Sequence, residues 1–303
     1  MTVLQQIPRC CLSGGEVGVS FEFFPPRNQA ASDLLWRTVA QLEPLAPQFV
    51  SVTSGAGGST RAVTVETVLR LRRESGIEPA AHMTCIGSGE SEITALAEAY
   101  WAAGVRRIVA LRGDASADTP GPPAGGFSHA SDLVACLRRV ADFDISVAAF
   151  PETHPEALSS TADLDNLKRK LDAGAARAIT QFFFEVPVYL SFVERARKAG
   201  IEQDIVPGIL PIGNFGQVAN FARRCGASVP GWLARLFDGL DDDPTTRELV
   251  AATVAAELCA SLWAEGVRQF HFYTLNRGNL TAAVCRLLGL KPRAQTVPLA
   301  APA

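Results

Sequence analysis

Residues 17–27 read VGVSFEFFPPR and predict a first β-strand over residues 17–24 that ends at a double proline. Side chains alternate along a strand, so Gly18, Ser20 and Glu22 share one face and apolar residues occupy the other. Glu22 is therefore an ionisable group near the C-terminal end of an apolar strand. Burial would raise the pKa of its carboxyl group and let it hold a proton near neutral pH. A structural carboxylate satisfied by backbone donors is an equally good interpretation of this segment.

Eight strand-like segments alternate with helix-like segments along the chain. The predicted strands cover residues 17–24, 49–53, 80–85, 107–112, 144–150, 178–184, 204–210 and 269–275. The predicted amphipathic helices lie near residues 30–43, 60–75, 90–103, 131–141, 161–173, 188–199, 214–225, 244–265 and 278–288. Eight strands alternating with helices over this length predict an α/β protein with a single (β/α)8 TIM barrel rather than an open sheet.

Length and composition set the domain organisation. The 303 residues, 48% of them hydrophobic, allow one large α/β domain or two small ones with an ample core. We expect a catalytic barrel over residues 17–290, a flexible lead at residues 1–16 and a disordered tail at residues 291–303. The net charge of -3 leaves no basic excess for a nucleic-acid partner. Since no signal peptide or membrane-spanning run is recognisable, we expect a cytoplasmic protein with no membrane partner.

Several motifs that carry chemistry in other proteins are absent or incomplete. The segment GAGGST at residues 55–60 has Thr60 where a dinucleotide fingerprint needs its third glycine, so we reject a Rossmann fold. The seven cysteines include no C-x-x-C pair and favour buried, reduced thiols. The histidines show no recognised ligand spacing, and we therefore predict no metal site.

Polar residues gather where the predicted strands end. In a (β/α)8 barrel the chemistry lies at the C-terminal ends of the strands. The candidates there are Glu22, Thr53, His82, Arg112, Asp114, Glu152, His154, Gln181 and Asn276. The Pro/Gly-rich segment at residues 115–128 follows the fourth strand and is long enough to form a flap over this end of the barrel.

A polar stripe marks the helix predicted near residues 161–173. Asp163, Asn166 and Lys170 fall on one face, and Arg169 lies beside them. Such donors and acceptors can hold a ribose and a pyrophosphate. A solvated helix face has the same pattern, and from the stripe alone it is the preferred interpretation.

Long matching stretches run from Val19 to about Leu290 and identify a family. They include SFEFFPPR (20–27), FVSVT (49–53), HMTCIG (82–87), RRIVALRGD (106–114), PGILPIGNF (207–215), LFDGLDDD (236–243) and FHFYTLNR (270–277). In these stretches the chain resembles methylenetetrahydrofolate reductase, in the short bacterial form without a regulatory domain. The resemblance implies a (β/α)8 barrel that holds FAD without a Rossmann domain.

The resemblance also implies a reaction. NADH or NADPH would pass hydride to FAD, and the reduced flavin would convert 5,10-methylenetetrahydrofolate to 5-methyltetrahydrofolate in one-carbon and methionine metabolism. Because folate and pyridine nucleotide would take turns at one flavin face, ping-pong kinetics are expected. Relatives are often oligomeric, so a homo-oligomer is expected as well.

Site residues follow from the resemblance position by position. Glu22 would be the general acid that opens the folate imidazolidine ring, and Asp114 would stabilise cationic character near flavin and pterin. The implied substrate-binding residues are Gln181, Gln217, Phe221 and Arg277. The implied FAD-binding residues are Thr53, His82, Arg112, Asp114, His129, Ala130, Phe150, His154, Asp163, Asn166, Arg169 and Lys170. His129 and Phe150 stand where relatives carry tyrosines, which bears on flavin affinity.

Two further functions remain open at this point. One is a folate-binding methyltransferase-type barrel with no redox cofactor, and the other is a non-enzymatic scaffold that binds folate or flavin. Bound flavin that NAD(P)H bleaches would distinguish the reductase from both.

Overall fold

The computed structural model describes residues 17–55, 60–114 and 126–293. Within these residues one sheet of nine parallel strands forms the centre of the protein. The strands are β1 (Gly18–Phe23), β2 (Phe49–Val52), β3 (Pro79–Thr84), β4 (Arg107–Leu111), β5 (Asp144–Ala149), β6 (Arg177–Thr180), β7 (Asp204–Val206), β8 (Gly208–Ile209) and β9 (Gln269–Tyr273).

Helices follow the strands along the described residues. They are α1 (Gln29–Leu42), α2 (Arg61–Glu74), α3 (Glu90–Ala102), α4 (Ala130–Val140), α5 (Ser160–Asp172), α6 (Val186–Lys198), α7 (Phe215–Cys225), α8 (Gly231–Phe237), α9 (Pro244–Ala264) and α10 (Gly278–Leu287). The helix α9 starts as its sequence indicates, because Asp243 accepts a hydrogen bond from Thr246 N at 3.0 Å and Pro244 occupies the first turn. In the described part of the chain no helix is long and apolar enough to cross a membrane.

The sheet closes through a single interrupted strand. Its order is β7-β6-β5-β4-β3-β2-β1-β9-β8, and only Pro207 separates β7 from β8. β7 pairs with β6, whereas β8 pairs with β9, and Pro207 O accepts the His271 amide at 3.0 Å. If β7 and β8 are counted as one strand, this strand is the eighth of a closed barrel. The predicted single (β/α)8 TIM barrel is confirmed.

Three details of the predicted elements differ from the structure. The sixth strand ends at Thr180, so residues 181–184 form no strand although their three phenylalanines are buried. The seventh strand is interrupted at Pro207, since proline lacks the N–H that a ladder needs. The short helix α8 was not predicted, because seven residues between Pro230 and an acidic loop give too short a periodic signal. The predicted lead, most of the predicted tail and residues 115–125 of the predicted flap lie outside the described residues.

Two layers of apolar packing follow from the alternation along the strands. Val19, Phe21 and Phe23 of β1 belong to the large core cluster that also contains the buried sides of the helices. A second, small cluster takes one residue from each of five strands: Phe49, Ala80, Val109, Ile179 and Val206. The small cluster lies inside the barrel. Ser20 and Glu22 lie on the face of β1 opposite to Phe21, and that face is directed into the barrel as well.

An ion cluster lies at the N-terminal ends of three neighbouring strands. Asp144 Oδ2 lies 2.7 Å from Arg107 Nη1, and Asp144 Oδ1 lies 2.6 Å from Arg177 Nη1. Arg177 also donates to Ser146 Oγ at 3.3 Å. The three charged groups are partly buried, so one carboxylate holds two guanidinium groups away from bulk water. This end of the barrel serves stability rather than chemistry.

We expect Asp144→Asn to lower the free energy of unfolding by about 2 kcal/mol, because it leaves two partly buried arginines without their shared counter-charge. Glu194→Gln is the control: its ion pair with Lys198 is exposed, so its loss should change the free energy of unfolding much less. Urea unfolding of both variants measures the difference. Equal losses would show that the Asp144 cluster is no more than a surface ion pair.

Candidate active site

Glu22 lies between two imidazoles at the C-terminal end of β1. Its Oε2 atom is 3.3 Å from His82 Nε2 of β3 and 3.8 Å from His271 Nε2 of β9. A 2.7 Å hydrogen bond joins Ser20 Oγ to His271 Nδ1. The side chain of Glu22 is only 15% exposed, and His271 is buried. In the barrel β9 is adjacent to β1, and β3 is separated from β1 by β2. These three strands therefore bring one carboxylate and two imidazoles together.

The pKa of Glu22 reflects two opposing effects. Burial is the largest single effect and raises the pKa of the carboxyl group. The interactions with the imidazoles of His271 and His82 act in the other direction, and together they lower the pKa to about 2. Glu22 is thus ionised at neutral pH in this geometry.

The predicted apolar surroundings and raised pKa of Glu22 are therefore wrong for this geometry. Alternation along β1 gave the face on which Glu22 lies. It could not give the groups that β3 and β9 direct at that face, because those depend on which strands become neighbours. His271 was missed as a site residue for the same reason, although alternation in the segment QFHFY at residues 269–273 places it on the same face as Tyr273.

Acid should remove the stability that this cluster provides. The folded pKa of Glu22, about 2, lies below its ordinary value of 4.5, so the contribution is present above pH 4.5 and is lost as the pH falls towards 2. Wild-type protein should be more stable than Glu22→Gln by a margin that shrinks between pH 5 and pH 3. Urea unfolding at several pH values measures this margin, and a margin independent of pH would contradict the coupling.

Tyr273 lies next to Glu22 across the β1–β9 pair. Its hydroxyl donates to Thr180 O at 2.7 Å, and its ring meets the His271 ring edge-on at a centroid distance of 5.4 Å. Burial, followed by the negative charge of Glu22, raises the pKa of Tyr273 well above its usual value. Tyr273 is consequently a neutral phenol that spans the barrel beside the carboxylate.

A second cluster joins four of the predicted cofactor-binding residues. Asp163 Oδ2 accepts the His154 amide at 2.8 Å, and the His154 ring meets the Phe150 ring edge-on at 4.6 Å. Lys170 Nζ donates to the main-chain carbonyl of Ala148 at 2.6 Å. Lys170 is only 5% exposed, so the interpretation of this helix face as solvated is wrong at that position.

The charge of Lys170 is held in unusual surroundings. Burial lowers the pKa of Lys170 to about 8, although the charge of nearby Asp163 acts in the opposite direction. On the same helix, α5, Asn166 is half-buried and Arg169 is exposed. The predicted stripe therefore combines one buried cation, one exposed cation and two polar groups of intermediate exposure.

Arg112 connects the end of β4 with the loop that carries His154. Its Nη2 atom lies 2.6 Å from Glu156 Oε2, and Glu156 N donates to His154 Nδ1 at 3.1 Å. The hydrogen bond and charge of Arg112 lower the pKa of Glu156. Arg112 is thereby paired with Glu156 rather than with Asp114, which is exposed at the end of β4.

Gln181 lines a small cavity beside this second cluster. Its main-chain amide donates to Ala149 O at 2.7 Å, and the cavity is also lined by Phe150, Phe182 and Cys225. Phe221 packs on Phe182 with ring centroids 5.3 Å apart. Gln181 and two aromatic residues therefore line this cavity together.

The remaining predicted site residues lie around the same end of the barrel. Thr53 follows β2 and donates its amide to Phe23 O at 2.9 Å. His129 is the exposed residue before α4, and Ala130 is the buried first residue of that helix. Gln217 and Arg277 are exposed on α7 and before α10. In the part of the chain that the structure describes, no hydrogen bond or ion pair joins either of these two residues to Glu22.

Residues 6–289 match the sequence profile of the family described as methylenetetrahydrofolate reductase. The chain belongs to the methylenetetrahydrofolate reductase family. A relative named 5,10-methylenetetrahydrofolate reductase, from Escherichia coli (strain K12), is 51% identical over 280 residues that cover 92% of this chain and 93% of the relative. One with the same name from Pectobacterium carotovorum subsp. carotovorum is 49% identical and covers 92% of each chain.

More distant members and neighbours extend this comparison. A protein of Oryza sativa subsp. japonica named "Probable methylenetetrahydrofolate reductase (NADH)" is 33% identical over 303 residues, which cover 96% of this chain and 51% of that protein. A solved structure of an uncharacterized protein from Clostridium thermocellum, described as binding two copies of 5-methyl-5,6,7,8-tetrahydrofolic acid, aligns with a TM-score of 0.60 at 15% identity. It covers 95% of this chain and 98% of its own and shows a shared fold.

Family membership confirms the resemblance seen in the sequence. It also confirms the prediction of an enzyme, since the curated relatives of the methylenetetrahydrofolate reductase family carry the name of an oxidoreductase. Among the described residues, no group of three or more His, Cys, Asp or Glu side chains has the arrangement of a metal site.

Proposed function

We propose that this protein uses FAD and NADH or NADPH to reduce 5,10-methylenetetrahydrofolate to 5-methyltetrahydrofolate. The observation that carries the proposal is the Glu22 carboxylate held between His82 and His271 at the catalytic end of a barrel of this family. A carboxyl group held at this end of the barrel can act as a general acid, and opening of a folate ring requires such an acid.

The residues of the second cluster fit FAD by their chemistry. Arg112, Arg169 and Lys170 offer cationic donors for a pyrophosphate, and Asp163 and Asn166 offer partners for ribose hydroxyls. Beside Gly113, which follows Arg112, the Thr84 hydroxyl is buried and has no hydrogen-bond partner among the described residues. An unpaired buried hydroxyl is costly, so a bound group that hydrogen-bonds to it would be stabilised. Thr53, His82, His129, Ala130, Phe150 and His154 complete the proposed cofactor set.

When bound, FAD would accept hydride from the nicotinamide and later give it to the methylene carbon of the folate, which is the chemistry of a ping-pong reductase. The chain itself must supply a proton. The product carries its methyl group on N5, so the bond from the methylene carbon to N10 breaks and N10 needs a proton. Glu22 is the proposed donor of that proton.

The low pKa of Glu22 places a condition on this role. A carboxyl group with a pKa of about 2 is ionised before the substrate binds. Folate that covers Glu22 and separates it from His82 and His271 would leave burial as the dominant effect, and burial raises the pKa. Substrate binding would therefore raise the pKa of Glu22 and favour its protonated form, the form that can give a proton to N10.

Other residues would position the folate. The Gln181 amide would contact the pterin edge, and Phe221 would stack on the substrate. Asp114 would stabilise positive charge that develops on the pterin when the ring opens. Arg277 would pair with a glutamate carboxylate of the folate, and Gln217 would contact the substrate or the pyridine nucleotide.

The test of this proposal starts with colour. Purified protein should show a flavin absorption spectrum, and anaerobic NADH or NADPH should bleach it. The name of the rice relative makes NADH the first nucleotide to compare. A colourless protein that transfers methyl groups would support the methyltransferase-type alternative, and tight binding of folate or flavin without turnover would support a scaffold.

We also propose that the protein acts as a homo-oligomer in the cytoplasm, with folate and pyridine nucleotide as its partners and with neither nucleic acid nor membrane. Light scattering after size-exclusion chromatography would measure the assembly, and a monomer at micromolar concentration would contradict it.

A further inference from the structure

The chain makes an unusual turn directly after β9. Arg277 N donates to Thr274 O at 2.8 Å, and the two residues between them, Leu275 and Asn276, have φ angles of 50° and 56°. Residues other than glycine rarely adopt this left-handed conformation, and a bulky leucine least of all. Backbone strain of this kind persists only where surrounding contacts enforce it.

The Asn276 side chain replaces a missing piece of β-ladder. Regular pairing between β1 and β9 ends at Glu22 and Tyr273. Beyond that point Asn276 Oδ1 accepts the Phe24 amide at 2.9 Å, and Asn276 Nδ2 donates to Phe24 O at 3.0 Å. One carboxamide thus supplies both the acceptor and the donor that a continuing strand would have given to Phe24. The amide is 8% exposed, so these bonds are shielded from water.

Thr274 fixes the peptide of Glu22 itself. Its hydroxyl donates to Glu22 O at 2.7 Å, and its main-chain amide approaches the same oxygen at 3.3 Å. The hydroxyl also accepts the Asn276 amide at 3.1 Å. Helix α1 supports the turn from outside, because Thr38 Oγ1 donates to Asn276 O at 3.0 Å. The main chain from the carbonyl group of Glu22 to Phe24 is consequently tied to one strained turn.

We propose that Asn276 and Thr274 are positioning residues that hold the Glu22 carboxyl group in place for proton transfer. The inference rests on the proposed function of Glu22. The same turn leads directly into Arg277, whose guanidinium lies against Gly213, so it links the proposed acid on β1 to the proposed substrate residue before α10. Loss of the turn's contacts should therefore affect the folate step and leave the nucleotide step unchanged.

Asn276→Gly is the sharpest test, because glycine keeps the left-handed backbone and removes only the two side-chain bonds to Phe24. In stopped-flow experiments on the flavin-loaded protein, we expect the folate half-reaction to slow at least tenfold. Flavin content and the rate of flavin reduction by NADH or NADPH should stay within twofold of wild type. Hydrogen exchange in the cofactor-free protein should show faster exchange of the Phe24 amide.

A pair of variants at Thr274 provides a second measurement. Thr274→Ser keeps the hydroxyl and should retain a folate rate within about threefold of wild type. Thr274→Val keeps the shape, removes the donor to Glu22 O and should slow the folate half-reaction about tenfold. Glu43→Ala is the control, since it removes a side-chain bond to the Gly76 amide in the connections that precede β2 and β3, at the opposite end of the barrel. It should leave both half-reactions unchanged.

The outcomes separate the inference from the proposed function. Wild-type protein that reduces folate, together with Asn276→Gly that reduces it equally fast, would overturn the inference alone. Equal slowing of both half-reactions would also overturn it, because a loose fold rather than a displaced Glu22 would then be the cause. Wild-type protein that binds flavin but never reduces folate would overturn the proposed function and the inference with it.

Discussion

Glu22→Gln is expected to slow the folate half-reaction by about 100- to 10,000-fold, the range that one acid–base group contributes. Glutamine keeps the shape of the side chain but has no proton to give to N10. Reduction of the flavin by NADH or NADPH needs no such proton, so its rate should stay within about twofold. Anaerobic stopped-flow absorbance measures the two steps separately.

Glu90→Gln is the matched control for this result. Glu90 is the first residue of α3, after β3, and its Oε1 atom accepts a hydrogen bond from Arg139 Nη2 at 2.8 Å, so its neutralisation removes the same charge from the same end of the barrel. It should leave the folate rate nearly unchanged. If Glu22→Gln slowed both half-reactions equally, Glu22 would be a structural carboxylate, the interpretation that its sequence context left open.

Gly208→Ala is expected to lower the free energy of unfolding by at least about 3 kcal/mol, at the upper end of overpacking costs. A Cβ atom at this position would collide with the carbonyl oxygen of Thr180 and lie 2.8 Å from the Tyr273 hydroxyl oxygen. Gly208 also donates its amide to Thr180 Oγ1 at 2.9 Å, inside the barrel. The collision therefore falls at the β8 segment that closes the sheet.

Gly200→Ala separates packing from backbone conformation. Gly200 has a φ of 77° and open space around a Cβ atom, so alanine there should cost only about 1 kcal/mol of conformational strain. Gly208 has no such φ constraint, and its cost should come from the collision. If urea unfolding showed equal losses of unfolding free energy for the two variants, the residues around Tyr273 would be able to move aside. That result would contradict close packing in the barrel interior.

The barrel could be predicted because each of its strands carries its own signal. The alternation of apolar and polar residues, and the turn residues that end each strand, are visible within short segments of the sequence. Eight repeats of a strand followed by a helix favour a closed barrel. The details that failed are those where tertiary contacts override a local pattern. Gln181 to Phe184 resemble a strand but leave the sheet, and Pro207 breaks a ladder that resumes one residue later.

The site was predictable to a smaller extent, for a physical reason. The face of Glu22 followed from alternation, yet its pKa depends on His82 and His271, which are 60 and 249 positions away in the chain. The burial of Lys170 likewise depends on the carbonyl of Ala148 on a neighbouring strand. Asn276 was recognised as polar at a strand end, but only the folded turn shows that its amide completes the pairing of Phe24.

The most direct test of the account is the reoxidation of the reduced flavoprotein by 5,10-methylenetetrahydrofolate under anaerobic conditions. We expect the yellow colour to return, one 5-methyltetrahydrofolate to form per flavin, and the Glu22→Gln variant to stay bleached on the same timescale. Wild-type protein that remains bleached, or a Glu22→Gln variant that reoxidises at the wild-type rate, would contradict it.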